Sequence, residues 1–198
     1  MIDEHAPAVL QIHRDTLKPG AAAAFRTVEE EAAQACRRLN CPHPHFAIEA
    51  ITGPWSGEVW WLNGFASDAE RQRIIAEYAS NVPLMAALAT IGQQRLEIIA
   101  SDVDVFANYR GDLSRAAWQV AGARFFVVVV TDRSSTLEGA VFETVEGVRY
   151  IFKPTYARDA AETSAALTGP LGGVFAVRPN LGMPAQHWIE SDPEFWTC

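Results

Sequence analysis

The stretch that most constrains the fold is residues 58–70, Glu-Val-Trp-Trp-Leu-Asn-Gly-Phe-Ala-Ser-Asp-Ala-Glu. Its first half carries β-branched and aromatic residues at both parities, which predicts a strand covered on both faces. Ser67 precedes Glu70 by three residues, and this capping-box spacing predicts the start of a helix. A weaker copy of the strand-to-helix pattern occupies residues 150–161. We therefore predict two versions of one α+β unit.

Composition narrows the class of protein. The chain has 198 residues, of which 49% are hydrophobic, enough for one compact domain or two small fused halves. A net charge of -8 disfavours nucleic acid and anionic membranes as partners, because both favour clustered Lys and Arg. The longest apolar run, residues 125–130, is too short to span a bilayer. Three cysteines and an N-terminus without a signal-peptide pattern lead us to expect a cytoplasmic protein.

The first half of the chain alternates strand and helix patterns. Strands are predicted at residues 9–14, 46–51, 58–65 and 103–109. An amphipathic helix is predicted at residues 21–39. A second helix starts at the capped residues 68–80 and continues, after an interruption at Pro83, through Leu96. The order β-α-β-β-α-β is the ferredoxin-like plan, so residues 8–110 form the first predicted unit.

The second half reads as a shortened version of the same plan. Residues 111–122 are predicted to be a linker, and residues 123–198 a second unit with the order β-β-β-α-β. Its first helix is missing, because only residues 134–138 separate two predicted strands. The tail after Pro179 is rich in aromatic residues and is expected to pack back on the body. The predicted fold class is therefore α+β, with two tandem ferredoxin-like units closing a barrel.

Three stretches of the first half carry a family resemblance: residues 10–20, the amphipathic helix after them, and residues 58–67 with the acidic start of the next helix. Together they resemble the NIPSNAP-like branch of the dimeric α/β-barrel superfamily. That superfamily also holds the antibiotic-biosynthesis monooxygenase-like domains. The resemblance covers residues 8–110 and implies a ferredoxin-like unit whose sheet pairs with a second sheet. Members include cofactor-free oxygenases, decarboxylases, haem-dependent enzymes and many proteins without known activity. The extra second half departs from this plan, which leaves open a monomer with an intrachain barrel or a homodimer.

The candidate site is placed in the barrel by strand parity. If Leu10 and Ile12 meet the helices, Gln11 and His13 point into the barrel. A neutral His can take or give a proton near pH 7, and Asn can hold a carbonyl or oxyanion. The candidate catalytic residues are His13, Asn63 and Asn108, and the candidate ligand-binding residues are Gln11, Glu49, Trp60 and Trp61. The alternative interpretation is an interior histidine with satisfied hydrogen bonds and ordinary core tryptophans.

Two further clusters contain residue types that can bind a metal ion or an anion. Soft donor side chains follow the first helix at Cys36, Cys41, His43 and His45. Their spacing matches no zinc finger, and Cys36 lies on the buried helix stripe, so we predict neither a metal site nor a cofactor. Three cations of the second half would hold an anion only if they converge: Arg133, Lys153 and Arg178. No Gly-rich phosphate loop and no nucleophile elbow is present.

Three functions remain open on this evidence. The leading hypothesis is a small-molecule-binding protein whose barrel cavity takes an apolar or aromatic molecule. The alternative is a cofactor-independent oxygenase, isomerase or decarboxylase that uses His13 as acid or base. The third is a structural or interaction protein with a filled barrel.

Overall fold

The structure is a computed structural model that describes residues 6–197. Residues 1–5, on which the signal-peptide expectation rests, and the third cysteine, Cys198, lie outside the described residues. The strands are β1 Val9–Leu17, β2 His45–Thr52, β3 Glu58–Phe65, β4 Ile99–Tyr109, β5 Phe125–Thr131, β6 Ala140–Glu143, β7 Arg149–Thr155 and β8 Gly172–Met183. The helices are α1 Ala22–Arg38, α2 Asp68–Ser80, α3 Val82–Leu96, α4 Arg158–Ala166, α5 Gln186–Ser191 and α6 Pro193–Trp196, with a short 3-10 helix at Gly169–Leu171.

The eight strands close into an antiparallel barrel with the order β1-β3-β2-β8-β5-β7-β6-β4. Each half of the chain contributes four neighbouring strands in the same internal order, β4-β1-β3-β2 and β8-β5-β7-β6. Residues 132–139, between β5 and β6, contain no helix, so α1 has no counterpart in the second half. The prediction of two tandem ferredoxin-like units, the second without its first helix, is confirmed.

The two seams between the halves differ in length. Strands β2 and β8 pair from Thr52 opposite Val174 to His45 opposite Met183, whereas β4 and β6 share only two residue pairs. Strand β8 continues past Pro179, where the sequence suggested only a tail. Pro179 lies in a stretch where the β2–β8 register shifts, and such an irregularity accommodates a residue without an N–H donor.

Aromatic side chains fill the interior of the barrel. Those contributed by the strands and fully buried are Trp60, Phe126, Phe142, Phe152 and Phe175. The segment predicted as a linker, residues 111–122, packs in the same cluster through Trp118, Val120 and Ala121, so it is part of the core. Trp188 and Trp196 of the tail pack against the same cluster, as the sequence predicted.

Helices cover only part of the outer face. Phe25 and Val28 of α1 and Ile91 of α3 pack on Ala47 and Val59 of the sheet, while α4 lies on β5, β7 and β8. The outer face of β4 is largely exposed. Within residues 6–197, no single helix has the length and hydropathy to cross a membrane, and the pair α2–α3, bent by 86°, meets those two criteria only when both are counted together.

The capping box at the start of α2 is present. The backbone N–H of Glu70 donates to the Ser67 hydroxyl oxygen at 3.1 Å. The Glu70 carboxylate accepts from the backbone N–H of Ala66, the residue before Ser67. This cap fixes the direction of the chain as it leaves β3 beside one mouth of the barrel.

Candidate functional site

The strand parity assumed for β1 is wrong. Leu10 and Ile12 are fully buried in the barrel interior, whereas Gln11 and His13 lie on the outer face. The physical reason is that eight strands enclose a space just wide enough for side chains to fill, so the most apolar parity faces inward. The outer face beside β4 is only partly covered by helices and tolerates the polar parity.

A cavity of about 520 Å³ opens at one end of the barrel. Its inner wall consists of Leu10, Phe46, Leu62, Trp118 and Trp188, all buried side chains of the barrel core. Small residues at its rim leave the mouth open: Ala6, Pro7, Ala8, Gly64, Ala66 and Ala185. The polar side chains that line it belong to Tyr109 and His187.

Close packing and one ion pair fix the walls of this barrel-end cavity. Gly64 lets the N-terminal segment cross β3, because a Cβ there would lie 2.8 Å from the Pro7 ring. The tail is held from the other side: the indole N–H of Trp196 donates to the backbone oxygen of Ala121 at 2.7 Å. Arg124 pairs with Asp192 just before it. The cavity is therefore formed before any ligand arrives.

A second, smaller cavity of about 300 Å³ lies on the outer face between β1, β4 and α3. His13 lines it, with its Nδ1 3.2 Å from Asp104 and its Nε2 3.1 Å from Asp15. Asp15 is fully buried and also pairs with Arg95 of α3, which lies 2.8 Å from Glu29 of α1. We call this the outer cleft; its floor is a chain of groups with alternating charge.

The neighbours of His13 determine its charge. Burial lowers its pKa, but the hydrogen bond and charge of Asp15, together with the charge of Asp104, outweigh burial and raise the pKa above 6.5. Burial raises the pKa of Glu29 to about 7 even though Arg95 opposes that shift. Glu29 therefore changes charge near neutral pH, and His13 keeps its proton to a higher pH than an ordinary histidine.

The two candidate asparagines do not reach either cavity. The register places Asn63 opposite Gln11, and Asn108 opposite Val9, which is toward the far end of the outer face from His13. Gln11 donates to Asp104 at 2.8 Å and so supports the cleft without lining it. The sequence predicted that Asn63 or Asn108 would act together with His13. The strand register places both asparagines outside the cleft that His13 lines, so this prediction is wrong.

Glu49 lies outside both cavities as well. It pairs with Arg26 of α1 at 2.8 Å and with Arg178 of β8 at 2.6 Å. Burial acts to raise its pKa, but hydrogen bonds and charge from both guanidinium groups lower the pKa below its usual value. Glu49 thus ties α1 to the seam between the halves, where the sequence had suggested a ligand-binding residue.

Trp60 and Trp61 point to opposite faces. Trp60 is buried inside the barrel, where its N–H donates to Glu58 at 2.7 Å. Trp61 packs on Phe25 of α1 with ring centroids 5.9 Å apart. Neither lines the barrel-end cavity. The aromatic wall predicted from them is formed instead by Trp118 and Trp188.

The residues of the two other candidate clusters, for a metal ion and for an anion, are not arranged as binding sites in the described part of the chain. Among residues 6–197, no group of three or more His, Cys, Asp or Glu side chains is arranged to hold a metal ion. The three candidate anion-binding cations do not converge: Arg133 is exposed, Lys153 donates to Ser164 and Arg178 pairs with Glu49.

Sequence reasoning missed most of the residues that line the two cavities. Trp118 lies in the predicted linker, residues 111–122, and Trp188 in the aromatic tail, and neither segment was predicted to carry a site. Asp15, Arg95 and Glu29 escaped notice because they lie in three different elements, and no spacing joins them. The available signal was an acidic residue, Asp15, at the parity of His13 on β1.

Comparison with known proteins supports the fold. No protein-family model matches the chain, and no curated protein matches it. A provisionally assigned monooxygenase from Fusobacterium nucleatum is similar, with a TM-score of 0.53 and 10% identity over 87% of this chain and 93% of that chain. A NIPSNAP family protein of unknown function from Agrobacterium tumefaciens is similar over 55% of this chain and 93% of that chain, with a TM-score of 0.41 and 17% identity. A NIPSNAP-like domain protein from Burkholderia xenovorans covers 58% of this chain and 97% of that chain, with a TM-score of 0.43 and 15% identity.

The similarity to the Fusobacterium nucleatum protein supports the predicted α/β-barrel architecture at the level of the fold. The chain has this α/β-barrel architecture. Because identities are low, the function has to be argued from the two cavities themselves.

Proposed function

We propose that the protein binds a small apolar or aromatic molecule in the barrel-end cavity. The observation that carries this proposal is a preformed space of about 520 Å³ whose inner wall is Leu10, Phe46, Leu62, Trp118 and Trp188. Ligand sites typically occupy 300–1,000 Å³ and combine an apolar lining with few polar groups. Tyr109 and His187 supply those polar groups at the rim.

The aromatic lining favours a flat ligand. Trp118 and Trp188 both pack against Phe46 and present ring surfaces to the cavity. Aromatic pairs contribute about 0.5–1.5 kcal/mol beyond the area they bury. A rigid wall also avoids the entropy cost of ordering loops on binding. The protein interior thus favours a fused-ring or phenyl-bearing molecule over a flexible polar one.

The test is a titration with N-phenyl-1-naphthylamine, a neutral probe that fluoresces in apolar sites. We expect saturable one-to-one binding by the wild type. Ala66→Trp fills the cavity mouth from an exposed position, so affinity should fall at least about tenfold, or 1.4 kcal/mol. Ala157→Trp is the matched control, because Ala157 is exposed just before α4, as Ala66 is before α2, and lines no cavity described above. Equal binding by the two variants contradicts this site.

A second candidate function is proton transfer in the outer cleft. The observation that favours it is the position of His13, which is oriented at Nε2 by buried Asp15 while Nδ1 faces the part-exposed Asp104. A base oriented by a buried carboxylate is a common arrangement in acid–base catalysis. In this candidate, a substrate displaces Asp104 from His13 and exchanges a proton with the freed nitrogen.

Its test follows deuterium incorporation next to the carbonyl of small 2-oxo acids by proton NMR. Proton abstraction beside a carbonyl is a step that isomerases and decarboxylases share. The candidate predicts faster exchange with wild type than without protein, loss of this gain in His13→Gln, and its retention in His187→Gln. Exchange that is unchanged by His13→Gln would exclude His13 as the base.

A further inference from the structure

The turn after α1 brings two cysteines together. Helix α1 ends at Arg38, and Asn40 adopts a left-handed conformation with φ 53°. The backbone N–H of Cys41 then returns to the carbonyl oxygen of Cys36 at 2.9 Å. This six-residue closure is the Schellman type of helix ending, which places its first and last residues side by side. The Cys36 and Cys41 side chains lie in the same small buried cluster, together with Leu84.

Polar groups lie close to the Cys41 sulfur. The hydroxyl of Tyr78, near the end of α2, lies 2.5 Å from the Cys41 sulfur, close enough for a hydrogen bond in which either group can be the donor. The His43 carbonyl oxygen, 3.5 Å away, accepts the proton while Cys41 is a thiol. Hydrogen bonds from Cys36, His45 and Tyr78 outweigh burial and lower the pKa of Cys41, while the same pairing raises the pKa of Cys36.

We propose that Cys41 and Cys36 form a peroxide-reactive dithiol, with Cys41 as the attacking thiolate and Cys36 as the resolving thiol. This site is separate from both cavities and does not depend on the proposed ligand. Three observations support it: the closed turn brings the backbones of Cys36 and Cys41 together, the two side chains lie in one buried cluster, and the Tyr78 hydroxyl lies within hydrogen-bond distance of the Cys41 sulfur. Cys41 keeps 9% of its surface exposed, which admits an oxidant as small as hydrogen peroxide.

The oxidation has two balanced steps. The Cys41 thiolate attacks an oxygen of a hydroperoxide; the O–O bond breaks, the leaving alkoxide or hydroxide takes a proton, and Cys41 becomes a sulfenic acid. The Cys36 thiol then loses its proton and attacks the Cys41 sulfur, forming the S–S bond and releasing water. The two thiols lose two electrons in total, and the hydroperoxide gains them. An alkyl hydroperoxide becomes an alcohol and one water, and hydrogen peroxide becomes two waters.

The experiment uses Cys198→Ser, so that the third cysteine cannot exchange. One equivalent of hydrogen peroxide at pH 7 should remove two titratable thiols, lower the intact mass by two hydrogens and yield a peptide joining Cys36 to Cys41. Dithiothreitol should restore both thiols. In the Cys36→Ser, Cys198→Ser variant the reaction should stop at a Cys41 sulfenic acid, which dimedone traps.

The role of Tyr78 gives an independent readout. Tyr78→Phe should move the pH of half-maximal oxidation rate upward, because the thiolate loses a donor, whereas Tyr156→Phe, an exposed control, should not. Two results would overturn the proposal. One is that both thiols survive peroxide in the folded protein and react only after unfolding. The other is that dimedone labels Cys36 in place of Cys41.

Discussion

At the scale of single residues, the outer cleft depends on one carboxylate. Asp15 is fully buried and faces the imidazole of His13 and the guanidinium of Arg95. His13 lies on the same strand as Asp15, whereas Arg95 belongs to α3 and follows Asp15 by 80 residues in the sequence. A buried charge of this kind is stable only while its partners remain, and removing Asp15 takes one carboxylate from both His13 and Arg95.

We predict that Asp15→Asn lowers the free energy of unfolding by about 3 kcal/mol, within the range for breaking a buried ion pair. Urea denaturation followed by circular dichroism measures the loss. The matched control is Asp104→Asn, which removes the other carboxylate on His13 but from a side chain that is 46% exposed, and should cost less than about 1 kcal/mol. Equal losses would show that Asp15 does not form the centre of the network.

Glu29 gives a pH-dependent prediction. Its folded pKa of about 7 lies above the ordinary 4.5, so the folded state holds the proton more tightly. The resulting stability is fully present below pH 4.5 and is lost as the pH rises through about 7. We expect stability to fall by up to roughly 3 kcal/mol over this window from Glu29 alone, at 1.36 kcal/mol per pKa unit.

The measurement is urea denaturation from pH 4.5 to 8 for wild type and Glu29→Gln. The variant should show a shallower decline, because it has no proton to lose. His13, whose pKa is also raised, contributes a decline above pH 6.5 that both proteins share. Parallel curves for the two proteins would mean that Glu29 ionises normally.

At the scale of secondary-structure elements, local chemistry was a good guide and facing direction was not. The Ser67 cap, the α2 start at Asp68 and the break before α3 were all readable, because caps and prolines act within a few residues. Which parity of β1 faces inward depends on barrel closure, a property of all eight strands. A shift of one residue exchanges the two faces, so Leu10 lines the cavity where Gln11 was expected.

The capped helix start should be measurable. We predict that Ser67→Ala costs about 1 kcal/mol of stability, because the Glu70 N–H loses its acceptor. Ser80→Ala, at the other end of α2, is the control and should stay within about 0.5 kcal/mol, since its hydroxyl only donates to the Glu77 carbonyl. Thermal unfolding of both variants gives the comparison. A larger loss in the Ser80 variant would place the stability of α2 at its end.

At the scale of the whole molecule, the chain closes one barrel from two unequal halves. The shared strand order was predictable from the repeated strand-to-helix pattern. The cavity was not, because its walls come from a linker, a tail and three strands distant in sequence. Local sequence patterns in this chain therefore predict the order of strands and helices, whereas the cavity depends on packing between residues that are distant in sequence.

The unequal seams predict where the barrel opens. The β4–β6 seam has two residue pairs, Asn108 with Glu143 and Tyr109 with Phe142, whereas the β2–β8 seam spans the length of β2. Local opening costs less where fewer hydrogen bonds and contacts break. Native-state hydrogen exchange in low urea should therefore show β6 amides exchanging before those of β2 and β8. The reverse order would mean that the longer seam is the weaker one.

The most direct test of the barrel-end site is a nitrogen–proton NMR spectrum of the six tryptophan indole groups during titration with N-phenyl-1-naphthylamine. Assignment by single Trp→Phe variants separates the signals. We predict saturable shifts for Trp118 and Trp188, which line the cavity, and unchanged signals for Trp60 and Trp61, which do not. Shifts centred on Trp61, or none at any of the six, would contradict it.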